Sequence, residues 1–188
     1  GDATGFRMNV EGRKGSSYNN VGILANDSMY VFVEVTVDPN GGNQPLLIQD
    51  SVLFTVNGIR QSVLLEAYGQ DVNLYKGGVT ITKDSILTAN RPYLIYDSLV
   101  IAKGVSLNIE KGATFYMHDK ASLIVHGSMN ALGTLDEPIT FRGDRLDYIL
   151  NDILPYDRTP GQWGGITFKA DSYGNVWDNV IVRNGTSG

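Results

Sequence analysis

The chain has 188 residues; 42% are hydrophobic and 19% charged, with a net charge of −5 at neutral pH. This is the balance of a globular protein, and its acidity excludes a general binder of nucleic acid or anionic membrane, which needs a basic surface. The absence of cysteine excludes disulfides and thiolate zinc sites, and no apolar run approaches the length of a membrane span.

Helical periodicity is nearly absent, so the chain reads as all-β. "MYVFVEVTV" (Met29–Val37) alternates, with Tyr30, Phe32, Glu34 and Thr36 on one face and Val31, Val33, Val35 and Val37 on the other. "PNGG" (Pro39–Gly42) is a turn signal. "SVLFTV" (Ser51–Val56) and "QSVLLEAYG" (Gln61–Gly69) flank Asn57-Gly58, a pair that favours a tight hairpin turn because both residues tolerate positive φ. Strands at this spacing predict an immunoglobulin-like β-sandwich over residues 1–72, with further strands expected upstream of Gly1. Residues 73–90, with Lys76-Gly77-Gly78 and a short "VTIT", read as a connector.

From Arg91 the rhythm changes. "SLNI" (Ser106–Ile109) recurs sixteen residues on as "SLIV" (Ser122–Val125), and sixteen further on as "PITF" (Pro138–Phe141). After an insertion at 143–162 come "GITF" (Gly165–Phe168) and "VIV" (Val180–Val182). A short apolar strand repeated at a near-fixed period, with glycine corners, predicts a β-solenoid over residues 91–188. No copy buries its apolar side alone, whereas stacked parallel copies share one core. Leu107/Ile109, Leu123/Val125, Ile139/Phe141 and Ile166/Phe168 are the expected inward ladders, and the crossover rule predicts right-handed coiling.

"RPYLIYDSLVIAKGVSLNIEKGATFYMHDKASLIVHGSMNALGTLDEPITFRGDR" with "PYDRTPGQWGGITF" resembles the opening turns of right-handed parallel β-helix surface lipoproteins of Bacteroidetes. "DSMYVFVEVTVDPN" and "DSVLFTVNGIRQSVLLEAYGQD" resemble the immunoglobulin-like module that precedes the helix in the same proteins. The resemblance spans nearly the whole chain. It implies this two-part architecture and an exported protein at the outer membrane or cell surface, lipid-anchored at the N-terminus of the full-length form. The family has no assigned activity, so the resemblance carries over no catalytic residue; the expected role is that of a non-enzymatic scaffold or adhesin-like binder of glycan or another surface protein. The chain lacks an initiator Met and the lipidated Cys, and "RNGTSG" follows directly on a strand-like run, so a fragment of a longer protein is expected. Its last strand, near Val176–Val182, is then a free parallel edge, expected to be poorly ordered or to associate with another copy.

One position beyond each inward ladder lie Glu110, His126, Arg142, Lys169 and Arg183, which a sixteen-residue period stacks in one outward column. The insertion adds Asp144, Arg145, Asp147, Asp152, Asp157 and Arg158 at the same edge. The expected ligand-binding set is His126, Arg142, Asp144, Arg145, Asp157, Arg158, Trp163 and Lys169, forming a shallow polar groove for an acidic or neutral glycan. The plainer alternative is a solvated face whose charges pair weakly. In "PGQWGGITF" (Pro160–Phe168), strict alternation back from Ile166 puts Gly164 inward and Trp163 outward. There the indole would pin the insertion's apolar set (Tyr148, Ile149, Leu150, Ile153, Leu154 and Tyr156) to the wall. Service as a sugar platform requires one open indole face.

Polysaccharide lyases and hydrolases of this architecture need a carboxylate pair, or a calcium site with a basic proton acceptor. The carboxylates here sit mainly in the insertion and out of register, and neither His118 nor His126 shows a paired partner. No catalytic residue, metal or cofactor is therefore expected. The alternative is the N-terminal part of a β-helix carbohydrate-active enzyme whose catalytic turns lie downstream. Arg142-Gly143-Asp144 matches an adhesion tripeptide, and Asn26 and Asn184 open formal glycosylation sequons. Asp-Ser-aliphatic occurs at Asp27, Asp50, Asp84 and Asp97, similar to an O-glycosylation acceptor pattern, though Asp and Ser also cap turns.

Overall fold

The computed structural model describes residues 5–38, 41–43, 46–146 and 156–186, without the side chains of Tyr68 and Asp157. The chain is all-β, with no α-helix among these residues. It divides into two compact units, Gly1–Asp71 and Val72–Gly188.

The first unit holds β1 (Phe6–Val10), β2 (Arg13–Gly15), β3 (Val31–Val35), β4 (Leu46–Val56) and β5 (Ile59–Gly69). β1 is central in an antiparallel sheet of order β2-β1-β3, and β4 and β5 form a separate hairpin. The hairpin turns at Asn57-Gly58, both at positive φ, which is why that pair marks the turn in the sequence. β1 and β3 place Phe6, Met8 and Val10 opposite Val35, Val33 and Val31. Phe6, Val10 and Val52 are the buried apolar residues of this unit among those described. Phe6 and Met8 of the sheet share a small pocket with Val52 and Leu65 of the hairpin.

Among the described residues, the second unit contains thirteen strands that visit three parallel sheets in rotation. β6 (Asn73–Tyr75), β9 (Tyr93–Ile95), β12 (Thr114–Met117), β15 (Ile139–Gly143) and β18 (Val180–Val182) make the first wall. β7 (Val79–Ile81), β10 (Ser98–Ile101), β13 (Ser122–Val125) and β16 (Gly165–Phe168) make the second. β8 (Ser85–Leu87), β11 (Ser106–Ile109), β14 (Ser128–Leu132) and β17 (Val176–Asp178) make the third. Residues 73–87 are therefore no connector: they supply the first full circuit, paired in parallel to the second. Strands of three residues are too short to display an alternation, which is why the sequence hides them.

A circuit takes three strands, and Leu107 pairs with Met129, twenty-two residues on. The sixteen-residue spacing links Ser106, Ser122 and Pro138 across three different walls. All walls alternate inward and outward in the same way, so a step of two strands imitates a full repeat. The inward assignments themselves hold: Leu107, Ile109, Leu123, Val125, Ile139 and Phe141 are all buried. Phe168 is 43% exposed because β16, β17 and β18 are outermost in their sheets.

An aromatic ladder runs up the inside of the first wall. Tyr75 meets Tyr93 edge-on at 5.7 Å, Tyr93 stacks on Phe115 at 4.9 Å, and Phe115 stacks on Phe141 at 4.5 Å. Corner side chains bind neighbouring circuits together. Asp97 accepts from the Gly77 amide at 2.8 Å, Asp84 from Ser106 at 2.8 Å, and Asn175 from Met129 at 2.8 Å. Each satisfies a backbone donor that the strands leave over.

Phe115→Ala, which removes the centre of the aromatic ladder, is expected to cost about 3–5 kcal/mol. Thr114→Ala, one position away on the outer face, is expected to cost under about 1 kcal/mol. Urea midpoints read the difference; equal midpoints would exclude the ladder as a main support.

Candidate functional site

The register decides which outward side chains meet. On the first wall, the position after each inward aromatic holds Leu94, Tyr116 and Arg142, with Arg183 next above. Arg142 keeps its Nε buried without a hydrogen-bond partner among the described residues. Two residues further along lies a second column at the corner. Lys76 Nζ stands 5.5 Å from the Tyr96 ring centre, Tyr96 and His118 rings lie 4.1 Å apart, and His118 Nδ1 meets Asp144 Oδ2 at 2.6 Å. Four residues spread over 69 positions of sequence thus become one continuous stack.

On the second wall His126 and Lys169 follow the paired residues Val125 and Phe168. His126 Nδ1 lies 3.0 Å from Asp171 Oδ1. Partial burial pushes the Asp171 carboxyl up, but hydrogen bonds from His126 and its own backbone, with the charges of His126 and Lys103, outweigh this. The carboxyl is held below its ordinary value. On the third wall Glu110 accepts from the Ala89 amide at 3.0 Å, and the Asn108 and Asn130 amides bond at 3.0 Å.

The five residues expected in one column are therefore split. Arg142 and Arg183 belong to the first wall, His126 and Lys169 to the second, and Glu110 follows a strand of the third. Arg145 stacks on the Tyr156 ring, 3.5 Å from its centre, and Arg158 is exposed on a single 3-10 turn, Tyr156–Arg158. The side chain of Asp157, and Asp147, Tyr148, Ile149, Leu150, Asp152, Ile153 and Leu154, lie outside the described residues.

Trp163 is not the outward residue that alternation predicts. It is 0% exposed and part of the main core cluster, and its Nε1 donates to the Arg183 carbonyl at 2.7 Å. β16 starts at Gly165, so Trp163 and Gly164 form a corner, and alternation counted back along a straight strand does not pass through it. With no open indole face, Trp163 is no sugar platform. A Cβ at Gly164 would collide with Ser122 Oγ, so the glycine permits the close approach of the two circuits. Asn184, at a φ of 66°, locks the return. It accepts from the Gly143 amide at 3.2 Å and donates to the Tyr156 and Thr159 carbonyls at 3.2 and 3.0 Å. That buried amide leaves its sequon unavailable to a glycan. Arg142-Gly143-Asp144 lies at the end of β15 with Gly143 buried, unlike an exposed loop tip.

The sequence shows neither His–Asp pair, because the partners stand 26 and 45 residues apart and meet only through the circuit length. No group of three or more His, Asp or Glu that could hold a metal occurs among the described residues. In the Asp-Ser-aliphatic motifs, Asp27 and Asp50 accept from the following Ser amide at 2.8 and 2.7 Å; Asp27 does so at the end of a turn, whereas Asp50 lies inside β4.

No family model matches the chain, and no solved structure matches it significantly. A stretch of 104 residues, 53% of the chain, is 31% identical to part of the protein bark beetle of Drosophila melanogaster. The chain spans about 3% of the length of that relative.

Because the Asp171 carboxyl sits below its ordinary value, its pairing adds stability above that value and loses it as pH falls through the folded one. The gap in urea midpoint between the wild-type protein and Asp171→Asn is expected to narrow as pH drops from about 5 to about 2. A gap that stays constant over this range would exclude the pairing as a contributor.

Proposed function

We propose that this protein is a non-enzymatic, exported cell-surface scaffold of adhesin-like character. In this reading an immunoglobulin-like module precedes the first turns of a right-handed parallel β-helix, whose first wall binds glycan through its outer face. Support for the helix comes from three parallel walls visited in rotation, with the handedness following from the crossover preference. Support for the sandwich comes from the antiparallel sheet and hairpin that share Phe6, Met8, Val52 and Leu65 at one pocket. The surface location, the lipid anchor and the link to Bacteroidetes lipoproteins rest on the sequence resemblance. No helix among the described residues is long and apolar enough to cross a membrane.

The observation that carries glycan binding is the register of Tyr116 and Arg142 on the first wall, beside His118 and Asp144. A flat ladder offers donors at the strand spacing of about 4.8 Å. A guanidinium takes a carboxylate or paired hydroxyls by a two-pronged contact, and a tyrosine adds apolar area. An acidic or neutral polysaccharide lying along the wall meets both. His126 and Lys169 lie on another wall and take no part.

Arg142→Ala is expected to weaken binding of the best-bound acidic glycan roughly ten- to a hundredfold by calorimetry, and Lys169→Ala to leave it unchanged. Equal effects of the two would remove the first wall as the site.

A second reading, part of a carbohydrate-active enzyme, is favoured by the 2.6 Å His118–Asp144 contact, in which a carboxylate orients an imidazole. It predicts unsaturated ends when this chain is incubated with acidic polysaccharides, and their loss in Asp144→Asn. No new ends across a panel of uronate polymers would dismiss it for this chain.

A further inference from the structure

The first unit presents an edge whose own chemistry selects its partner. Among the described residues β4 and β5 pair only with each other, so each has an open side along eleven residues. A lone two-stranded ribbon is marginal in water, and long unblunted edges recruit further strands. Along β5 every residue from Ile59 to Leu64 is exposed, with Val63 at 53% and Leu64 at 59%.

We propose that β5 pairs antiparallel with β5 of a second copy, about a two-fold axis through Val63. Hydrogen-bond parity permits it. Val56 and Ile59 close the two-residue turn, so odd-numbered residues of β5 direct their amides and carbonyls toward β4. Arg60, Ser62, Leu64 and Glu66 direct theirs to the open side. An axis at Val63 sets Arg60 against Glu66 and Ser62 against Leu64, so bonding residues meet bonding residues.

Charge then selects this register among the permitted ones. Arg60 and Glu66 are the charged residues of β5, and the Val63 axis places each Arg60 directly across from the partner's glutamate, twice per dimer. Axes at Ser62 or Leu64 keep the parity but separate the charges. One oxygen of Glu66 accepts from Gln49 Nε2 at 2.6 Å, which holds the carboxylate on this face and leaves its second oxygen for the guanidinium. The edge of β4 offers no such match, because Asp50 is its one charged residue and a two-fold would only repeat the same sign. The paired product is a four-stranded sheet in which Val63 meets Val63, and Ile59 meets Ala67, on the opposite face.

Light scattering and sedimentation equilibrium on the whole chain test this. The wild-type protein is expected at twice the monomer mass. Arg60→Glu, which opposes four like charges, is expected to be monomeric, and Arg60→Glu combined with Glu66→Arg to recover the dimer. Ser62→Pro removes an amide donor from the open side without touching the β4–β5 ladder, and is expected to be monomeric as well. A monomeric wild type overturns the proposal, as does a dimer that survives Arg60→Glu or Ser62→Pro, since its contact lies elsewhere. Failure of the charge swap to recover the dimer overturns the register.

Discussion

The second unit depends on in-register pairing of strands only three to five residues long. No such strand is stable alone. Each exists because a parallel neighbour satisfies its backbone and an inward side chain stacks on the one below. Stacking of like on like follows: Tyr93, Phe115 and Phe141 superimpose because their strands pair residue for residue. The outer face inherits the same register. Lys76, Tyr96, His118 and Asp144 form a stack for the reason that the aromatic ladder does, at the corner just beyond the same strands.

That dependence explains what the sequence displays and what it conceals. Short β-branched runs with inward ladders are legible because burial alternates within each strand: β10, β12 and β13 share one pattern of inward and outward positions. This sameness hides the circuit length. Ser106 and Ser122 begin look-alike strands on different walls, and only pairing of Leu107 with Met129 shows the true period. An error of one strand per circuit leaves every inward residue inward, yet it moves Arg142, His126 and Glu110 from one column to three separate walls. Core residues are therefore easier to read here than surface constellations. The Asn57-Gly58 turn is legible for a different reason, since positive φ restricts residue type locally.

Corners resist reading because alternation ends there while burial does not. Trp163 is the sharpest case. Its neighbours Gly164 and Gly165 suggest an exposed edge, but the chain bends at this point and the indole turns inward, held by the Arg183 carbonyl. Asn184 shows the same logic. Its side chain replaces backbone partners that the returning chain would otherwise lack, and nothing in a lone Asn-Gly-Thr discloses this.

The unpaired edges of the first unit bear on how the proposed glycan site on the first wall would act. The second unit pairs its inner strands on both sides within its walls, and only the outermost strands of each sheet keep an unpaired side among the described residues. If the first wall binds glycan as proposed, its open face offers few enclosing contacts, and affinity for one short segment would be modest. Among the described residues the first unit leaves two eleven-residue edges open. If β5 joins two copies, each dimer carries two copies of the first wall, and a polymeric ligand long enough to reach both would gain from effective concentration without any new contact. Charge reversal at Arg60 would then weaken binding to long glycans while leaving short ones unaffected. That separates the wall's own chemistry from the benefit of displaying it twice.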